Sequence, residues 1–250
     1  MKYKMDRRLA YAIPNLFTAG SLICALVALK LITTGDFIQA TWLITLSIVL
    51  DGFDGGMAKI LKATSKLGAE ADSLTDFVAF GVVAGFLAFE YSLRYFGFIG
   101  FFVFIVYVIC GGYRLARFNV LQANTTEKKS FMGLPIPAAA ATICSFILVH
   151  ETVLSDLSAH FILLIIMTLV SYLMVSRIPF VAVNKPIRGR KQKGLIAITV
   201  VSVAILAIFH TMLVYLACAW LYIFYGMYNK VRQSVKGKKR PKFVWKRIKK

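Results

Sequence analysis

Long apolar stretches alternate with short, mostly basic segments along the whole chain. A membrane-spanning helix needs about 20 consecutive, mostly apolar residues. That length predicts eight spans, at residues 15–33, 38–58, 68–93, 97–118, 134–152, 160–180, 195–210 and 212–229. The last two lie in one apolar stretch, for which His210 and Thr211 are the predicted turn. We therefore expect an all-α, polytopic integral membrane protein.

The stretch before Pro14 has a different pattern, because single apolar residues alternate with basic ones. This pattern predicts a short N-terminal amphipathic helix that lies on the membrane surface. The sequence contains neither an internal repeat nor a glycine-rich linker. We therefore expect one membrane domain at residues 1–229, followed by a basic cytoplasmic tail at residues 230–250.

Composition supports the membrane assignment and excludes a soluble domain. Hydrophobic residues make up 59% of the chain, whereas soluble domains contain roughly 45–50% apolar residues. Only 16% of the residues are charged, and the mean hydropathy is +0.73. So few charged residues could not cover that much apolar surface in water.

The basic residues indicate which ends of the predicted spans face the cytoplasm. With eight spans, 28 of the 30 Lys and Arg residues fall on one side of the membrane, and only Lys30 and Arg94 fall elsewhere. Cytoplasmic loops of membrane proteins carry such an excess of Lys and Arg. The sequence therefore predicts a multi-pass protein of the cell membrane with both termini in the cytoplasm.

The C-terminal tail contributes 11 basic residues to a formal net charge of +19. Nucleic acid is one candidate partner for such a tail. The tail directly follows a predicted span, however, and Phe243, Val244 and Trp245 interrupt its cations. Anionic lipid head groups attract such segments by about 1 kcal/mol per basic residue. We therefore expect the tail to contact membrane lipids and not nucleic acid.

Four carboxylates fall inside the predicted spans, where a charged side chain costs at least about 2.5–3.5 kcal/mol. Asp51 and Asp54 are three residues apart near the cytoplasmic end of the second span. Asp72 and Asp76 are four residues apart near the cytoplasmic start of the third span. Residues at these spacings share a helix face. Because a short loop joins the two spans, the four carboxylates are predicted to converge near the cytoplasmic interface.

Four carboxylates in a low dielectric need protonation or bound cations. Oxygen ligands without a nearby histidine favour one or two Mg²⁺ or Mn²⁺ ions, with Ca²⁺ as a third candidate. Four glycines leave room for a ligand to approach the backbone: Gly52, Gly55, Gly56 and Gly68. A metal site beside such a gap is suited to a pyrophosphate. The alternative is that the acids form salt bridges with Lys59, Lys62 and Lys66.

The acids, glycines and lysine can be written as one motif. It reads Asp51-Gly52-x-Asp54-Gly55-x-x-Ala58-Lys59, then eight residues, Gly68, three residues, Asp72, three residues and Asp76. This motif resembles the signature of the CDP-alcohol phosphatidyltransferases, which have D-G-x-x-A-R after an upstream Asp and then G-x-x-x-D-x-x-x-D. Lys59 stands where the family commonly has Arg, so the positive charge is kept without the bidentate fork.

Two further stretches resemble the phosphatidylserine synthase branch of that family. They are Gly112-Tyr113-Arg114-Leu115-Ala116-Arg117-Phe118-Asn119 and Phe131-x-Gly133-Leu134-Pro135-x-Pro137-Ala138. In addition, Pro14, Asn15 and Thr18 match the P-N-x-x-T start that is common in the family. The resemblance covers about residues 13–140.

The resemblance implies a six-helix catalytic core, a homodimer, and transfer of a phosphatidyl group from a CDP-activated lipid to L-serine with release of CMP. It implies metal ligands at Asp51, Asp54, Asp72 and Asp76, of which Asp76 is also the catalytic base. The implied CDP-binding residues are Asn15, Thr18, Asp51, Asp54, Gly55, Ala58, Lys59, Lys62, Ser65, Gly68 and Asp72.

Arg114 and Arg117 are three residues apart near the cytoplasmic end of the fourth span. A guanidinium group binds a carboxylate or phosphate through two parallel hydrogen bonds. We therefore expect this pair, with help from Asn119, to bind the serine carboxylate or the donor phosphate. The alternative is that both arginines only anchor the cytoplasmic end of the span.

Other functions are compatible with parts of this pattern. Carboxylates inside a membrane also mark ion pathways, so a divalent-cation transporter is an alternative, although the later half of the chain has no second acidic cluster. The same catalytic core could use glycerol 3-phosphate or inositol phosphate as the acceptor. Both diacyl ester and archaeal ether chains on the donor fit the sequence.

Overall fold

The structure is a computed structural model that describes residues 7–61, 65–123, 131–153, 158–180 and 215–228. Within these ranges the chain is helical, apart from short connections and one pair of two-residue strands. The prediction of an all-α protein is therefore confirmed for the described part of the chain.

The first two helices form an antiparallel hairpin. Helix α1 spans Arg7–Thr34 and helix α2 spans Phe37–Ile60. Gly35 in the turn has φ +87°, a conformation that glycine adopts without strain. The buried hydroxyl groups of Ser21 and Ser47 lie 2.7 Å apart and join the two helices by a hydrogen bond. Small polar residues allow membrane helices to approach closely in this way.

The third long helix changes its hydrogen-bonding pattern in the middle. Helix α3 spans Lys66–Asp76, a π-helical segment spans Phe77–Val83, and helix α4 spans Ala84–Tyr91. Ser65 begins the helix, because its Oγ accepts a hydrogen bond of 2.9 Å from the backbone N–H of Gly68. This is the usual N-cap arrangement for serine.

Five further helices and two short strands complete the described fold. The helices are a 3₁₀ turn at Leu93–Phe96, α5 at Phe98–Ala123, α6 at Ile136–Val153 and α7 at Ser158–Val175. Residues 215–228 form a last helix, α8. Strand β1, Phe131–Met132, pairs antiparallel with strand β2, Pro179–Phe180.

Among the described residues, four helices are long and apolar enough to cross a membrane: Ala12–Thr34, Phe37–Ala58, Leu67–Tyr91 and Phe98–Val120. Ile136–Glu151 and His160–Val175 are shorter apolar helices. Each of these six helices overlaps one of the first six predicted spans. The predicted seventh span, 195–210, lies outside the described residues, and α8 lies within the predicted eighth.

Two predicted elements differ from the structure at their ends. The N-terminal amphipathic helix is not confirmed as a separate helix, since residues 7–13 continue through Pro14 into α1. A proline inside a membrane helix is tolerated. The predicted sixth span, 160–180, is too long, since α7 ends at Val175. Pro179 disfavours helical geometry in the residue before it, and the chain there pairs with β1 instead.

The centre of the core is the inner part of the third long helix. Ala79, Phe80, Val83, Leu87 and Ala88 are all fully buried. The π-helical segment contacts α1, α2, α5 and α6 as well as its own neighbours α3 and α4. The core therefore holds α4 and the π-helical segment firmly, while α3 extends from them towards the predicted cytoplasmic side.

Candidate metal and transferase site

Three of the four intramembrane carboxylates meet in the structure. One oxygen from each of Asp51, Asp72 and Asp76 lies within 4.8 Å of the other two. Helix α2 carries Asp51, whereas α3 carries the other two residues one turn apart on the same face. We call these three residues the carboxylate triad. Their separation is short enough for one cation to contact all three.

The fourth carboxylate, Asp54, is oriented by α1. Its side chain is buried, with 4% exposure, and its Oδ2 accepts a hydrogen bond of 2.7 Å from the hydroxyl of Thr18. Asp54 also interacts electrostatically with Asp72. The four acids therefore lie in one region, as the helix spacing predicts. Only the three triad residues have carboxylate oxygens close enough together to contact the same cation.

The buried oxygens of the triad fit a hard divalent cation. Among the described residues, Oδ1 of Asp72 and Oδ1 of Asp76 are the buried side-chain atoms that have no hydrogen-bond partner. Leaving such an acceptor unsatisfied costs about 1–3 kcal/mol, and more if it is charged. A cation would satisfy both atoms, and an all-oxygen ligand set favours Mg²⁺, Mn²⁺ or Ca²⁺.

Among the described residues, Arg114 is a positively charged side chain that lies beside the triad. It is buried, with 6% exposure, and it interacts electrostatically with Asp76 and Asp51. Its guanidinium group also lies over the ring of Phe118, 5.4 Å from the ring centre. Tyr222 of α8 lies near the same guanidinium group. No sequence signal indicated Tyr222, because more than 100 residues separate it from Arg114 along the chain.

Arg117 contacts the end of α7. It donates hydrogen bonds of 2.8 Å to the carbonyl of Val175 and 3.0 Å to the carbonyl of Met174. Cations are favourable at a helix C-terminus, where the carbonyl groups lack intrahelical partners. Gly133 has φ +86°, and a Cβ there would collide with Arg117 and with the Met174 carbonyl. The two sequence stretches of the serine branch therefore meet at this point, and the acceptor role of Arg117 stays a prediction.

Asn119 lies against α3. Its Nδ2 donates a hydrogen bond of 3.1 Å to the hydroxyl of Ser73, which directly follows Asp72 in the chain. A groove of about 260 Å³ runs between α3 and α5 at this point, with Glu70 among its polar lining residues. Sequence reasoning missed Ser73 and Glu70, because their part in the groove depends on how α5 packs beside α3.

The residues predicted to bind CDP lie around the start of α3 and the end of α2. Asn15 Oδ1 lies 3.4 Å from the position that a Cβ on Gly68 would occupy, so α1 contacts the N-terminus of α3 there. A Cβ added to Gly55 would meet no atom within 4 Å, so the backbone at this residue borders open space. Ala58 is half-buried nearby. The side chain of Lys59 and the whole of Lys62 lie outside the described part of the structure.

A family model for CDP-alcohol phosphatidyltransferase matches residues 11–170, which include all four acids and both arginines. The chain belongs to the CDP-alcohol phosphatidyltransferase family. The family resemblance stated from the sequence is therefore confirmed.

Several relatives of this CDP-alcohol phosphatidyltransferase carry serine in their names. This chain is 41% identical to the CDP-diacylglycerol–serine O-phosphatidyltransferase of Helicobacter pylori over 177 residues. The aligned region covers 68% of this chain and 72% of that relative. The protein of the same name from Bacillus subtilis is 38% identical over 169 residues, which cover 67% of this chain and 89% of that relative. The archaetidylserine synthase of Methanothermobacter thermautotrophicus is 36% identical over 178 residues, which cover 69% of this chain and 71% of that relative.

Proposed function

We propose that the protein transfers the phosphatidyl group, or its archaeal ether equivalent, from a CDP-activated lipid to the hydroxyl of L-serine, releasing CMP. The observation that carries this proposal is the carboxylate triad with Arg114 buried beside it. Metal-ligating oxygens next to a guanidinium group suit a reaction between a pyrophosphate and an acceptor that carries a carboxylate. Relatives named for serine transfer favour this reaction over ion transport and over other acceptors.

In this proposal the four acids have two roles, which are metal binding and proton acceptance. Asp51, Asp54, Asp72 and Asp76 would hold one or two Mg²⁺ or Mn²⁺ ions, with Ca²⁺ as a third candidate. When bound, such ions neutralise the pyrophosphate and stabilise the departing CMP. Asp76 accepts the proton of the serine hydroxyl as that oxygen attacks the phosphorus. Thr18 fixes the orientation of Asp54 through the hydrogen bond between their side chains.

The acceptor and the nucleotide occupy opposite sides of the triad in this proposal. On the α5 side, Arg114 binds the serine carboxylate, with Asn119 and Arg117 at the same helix end. On the α1 side, the cytidine diphosphate contacts the residues predicted for it: Asn15, Thr18, Gly55, Ala58, Lys59, Lys62, Ser65 and Gly68. The open space beside Gly55 supports this placement, because a nucleotide needs close access to the backbone.

The proposed arrangement in the membrane extends beyond the described helices. We infer eight spans in one domain, residues 1–229, around a six-helix catalytic core that forms a homodimer. The excess of basic residues on one side supports a cell-membrane protein with both termini and the active site facing the cytoplasm. The tail, residues 230–250, contacts anionic lipids from that side.

A direct assay of CMP release tests the reaction. The purified protein with Mn²⁺ is given CDP-diacylglycerol or its ether-linked analogue, together with L-serine, glycerol 3-phosphate or inositol phosphate. We expect CMP release that depends on L-serine and does not occur with the other two acceptors. Faster release with either phosphorylated acceptor would contradict the serine assignment, and release with neither donor would contradict the transfer reaction itself.

Accessibility of inserted tags tests the topology. A tag after Lys250 and a tag within residues 184–193 are expected to react only from the cytoplasmic side. A tag between Thr33 and Thr34, at the C-terminal end of α1, is expected to react only from the opposite side. Reaction of all three tags from one side would refute the eight-span arrangement.

A further inference from the structure

The π-helical segment joins α3, which carries Asp72 and Asp76, to α4, which is packed in the core. In a π-helix each backbone hydrogen bond encloses one residue more than in an α-helix. The segment therefore changes the angle by which α3 is rotated about its axis relative to α4. One residue corresponds to about 100° of rotation in an α-helix. With regular α-helical geometry throughout, Asp72 and Asp76 would be rotated by about that angle away from their present position beside Asp51.

A side chain from α5 supports the π-helical segment at its middle. Tyr107 is fully buried, and its hydroxyl donates a hydrogen bond of 2.8 Å to the backbone carbonyl of Phe80. A buried tyrosine hydroxyl usually finds such a partner. A side chain that bonds to a helix carbonyl is one of the known causes of a departure from α-helical geometry. The hydrogen bond therefore favours the π-helical form over the α-helical one.

Glycines allow α5 to lie close enough for this contact. A Cβ on Gly112 would come within 3.1 Å of the Phe77 ring, and a Cβ on Gly85 would come within 2.9 Å of the Tyr107 ring. Close approach of helices at glycine is typical of membrane proteins. The segment is thus packed tightly on the α5 side, and Tyr107 is one of the side chains that pack there.

We propose that Tyr107 is a positioning residue, which holds the π-helical segment through Phe80 and thereby sets the rotation of α3 that brings Asp72 and Asp76 to Asp51. It touches neither substrate nor metal. The inference rests on the proposed function only in assuming that the triad binds a divalent cation. Metal binding can therefore be measured separately from serine transfer.

The test compares Tyr107→Phe with Tyr91→Phe. Both variants remove one buried tyrosine hydroxyl, but Tyr91 pairs with His150 at the opposite end of the third long helix. Mn²⁺ affinity is read from the rise of the unfolding temperature with Mn²⁺ concentration, because a ligand that binds the folded state stabilises it. Turnover with saturating donor and serine is measured on the same samples.

We expect Tyr107→Phe to raise the Mn²⁺ midpoint about tenfold and to lower turnover at least about tenfold, since misplacing a reacting group by about 1 Å can cost about 10²-fold. Tyr91→Phe should leave both quantities unchanged, even where both variants lower the unfolding temperature equally. An unchanged Mn²⁺ midpoint and unchanged turnover in folded Tyr107→Phe would overturn the proposal.

A deletion in the segment provides a rescue. Removing Val82, which is only half-buried, lets the shortened segment become α-helical while α3 keeps its rotation. Tyr107→Phe combined with this deletion should recover most of the Mn²⁺ affinity, whereas a purely structural role for Tyr107 predicts a further loss. If Tyr107→Phe does not fold, the deletion alone decides: near-normal Mn²⁺ affinity supports the proposal, and its loss in folded protein overturns it.

Discussion

Asp76→Asn is expected to lower CMP release at least about 10²-fold, the lower end of the effect of losing general-base catalysis. The amide keeps the shape of the side chain and one oxygen ligand, but it cannot accept the proton of the serine hydroxyl. Binding of the CDP-lipid in the presence of metal should therefore remain nearly intact. Donor affinity and turnover are measured together across a metal titration.

Asp54→Asn is expected to behave differently, because it removes a negative charge from the region that holds the cation against the pyrophosphate. The asparagine can still accept the hydrogen bond from Thr18 through its oxygen, so the local structure is preserved. Donor affinity and metal affinity should weaken together, and a higher metal concentration should recover part of the rate. Comparing donor affinity and turnover between the two variants therefore distinguishes a metal ligand, Asp54, from a general base, Asp76.

Asp36→Asn is the matched control for both substitutions. Asp36 is an exposed acid at the turn between α1 and α2. This turn lies at the opposite end of α2 from Asp51. Its variant should retain normal turnover and metal affinity. If Asp76→Asn loses donor binding as severely as Asp54→Asn, Asp76 is mainly a ligand and another group must accept the proton.

Removal of divalent cations is expected to abolish CMP release entirely. Excess EDTA should reduce turnover to background, and Mg²⁺ or Mn²⁺ added beyond the chelator should restore it. The physical reason is the pair of buried oxygens on Asp72 and Asp76, which have no protein partner and lie close to Asp51. Without a cation, this arrangement repels the pyrophosphate of the donor.

Recovery after chelation separates loss of the cation from loss of the protein. The chelated sample should remain folded, because the packed core around α4 does not include the triad. Its unfolding temperature should then rise as Mn²⁺ is added back. Full turnover after rigorous chelation would rule out a metal-dependent reaction at this site.

The predictions that the structure confirms depend on local pattern. A hydrophobic stretch of membrane length predicts a helix whatever lies beside it, and the first six spans are helical. The spacing of Asp72 and Asp76 places them on one face for the same reason. The short loop after α2 made it predictable that Asp51 would lie close to them. Family membership followed from these same residues.

The remaining features depend on contacts between distant parts of the chain. Arg114 and Arg117 look equivalent in the sequence, yet one lies beside the triad and the other binds the carbonyl groups at the end of α7. Which of the two faces the acids depends on how α5 is rotated against its neighbours, and this rotation is a property of the packed bundle.

The local sequence determined that the acids share a helix face, whereas only the tertiary structure decided in which direction that face points. An apolar stretch such as Phe77–Val83 has the same hydropathy in α-helical and π-helical geometry, so its pattern does not distinguish them. We propose that the hydrogen bond from Tyr107 to the carbonyl of Phe80, 27 residues away along the chain, makes this choice. That bond forms only when α5 packs against the third long helix.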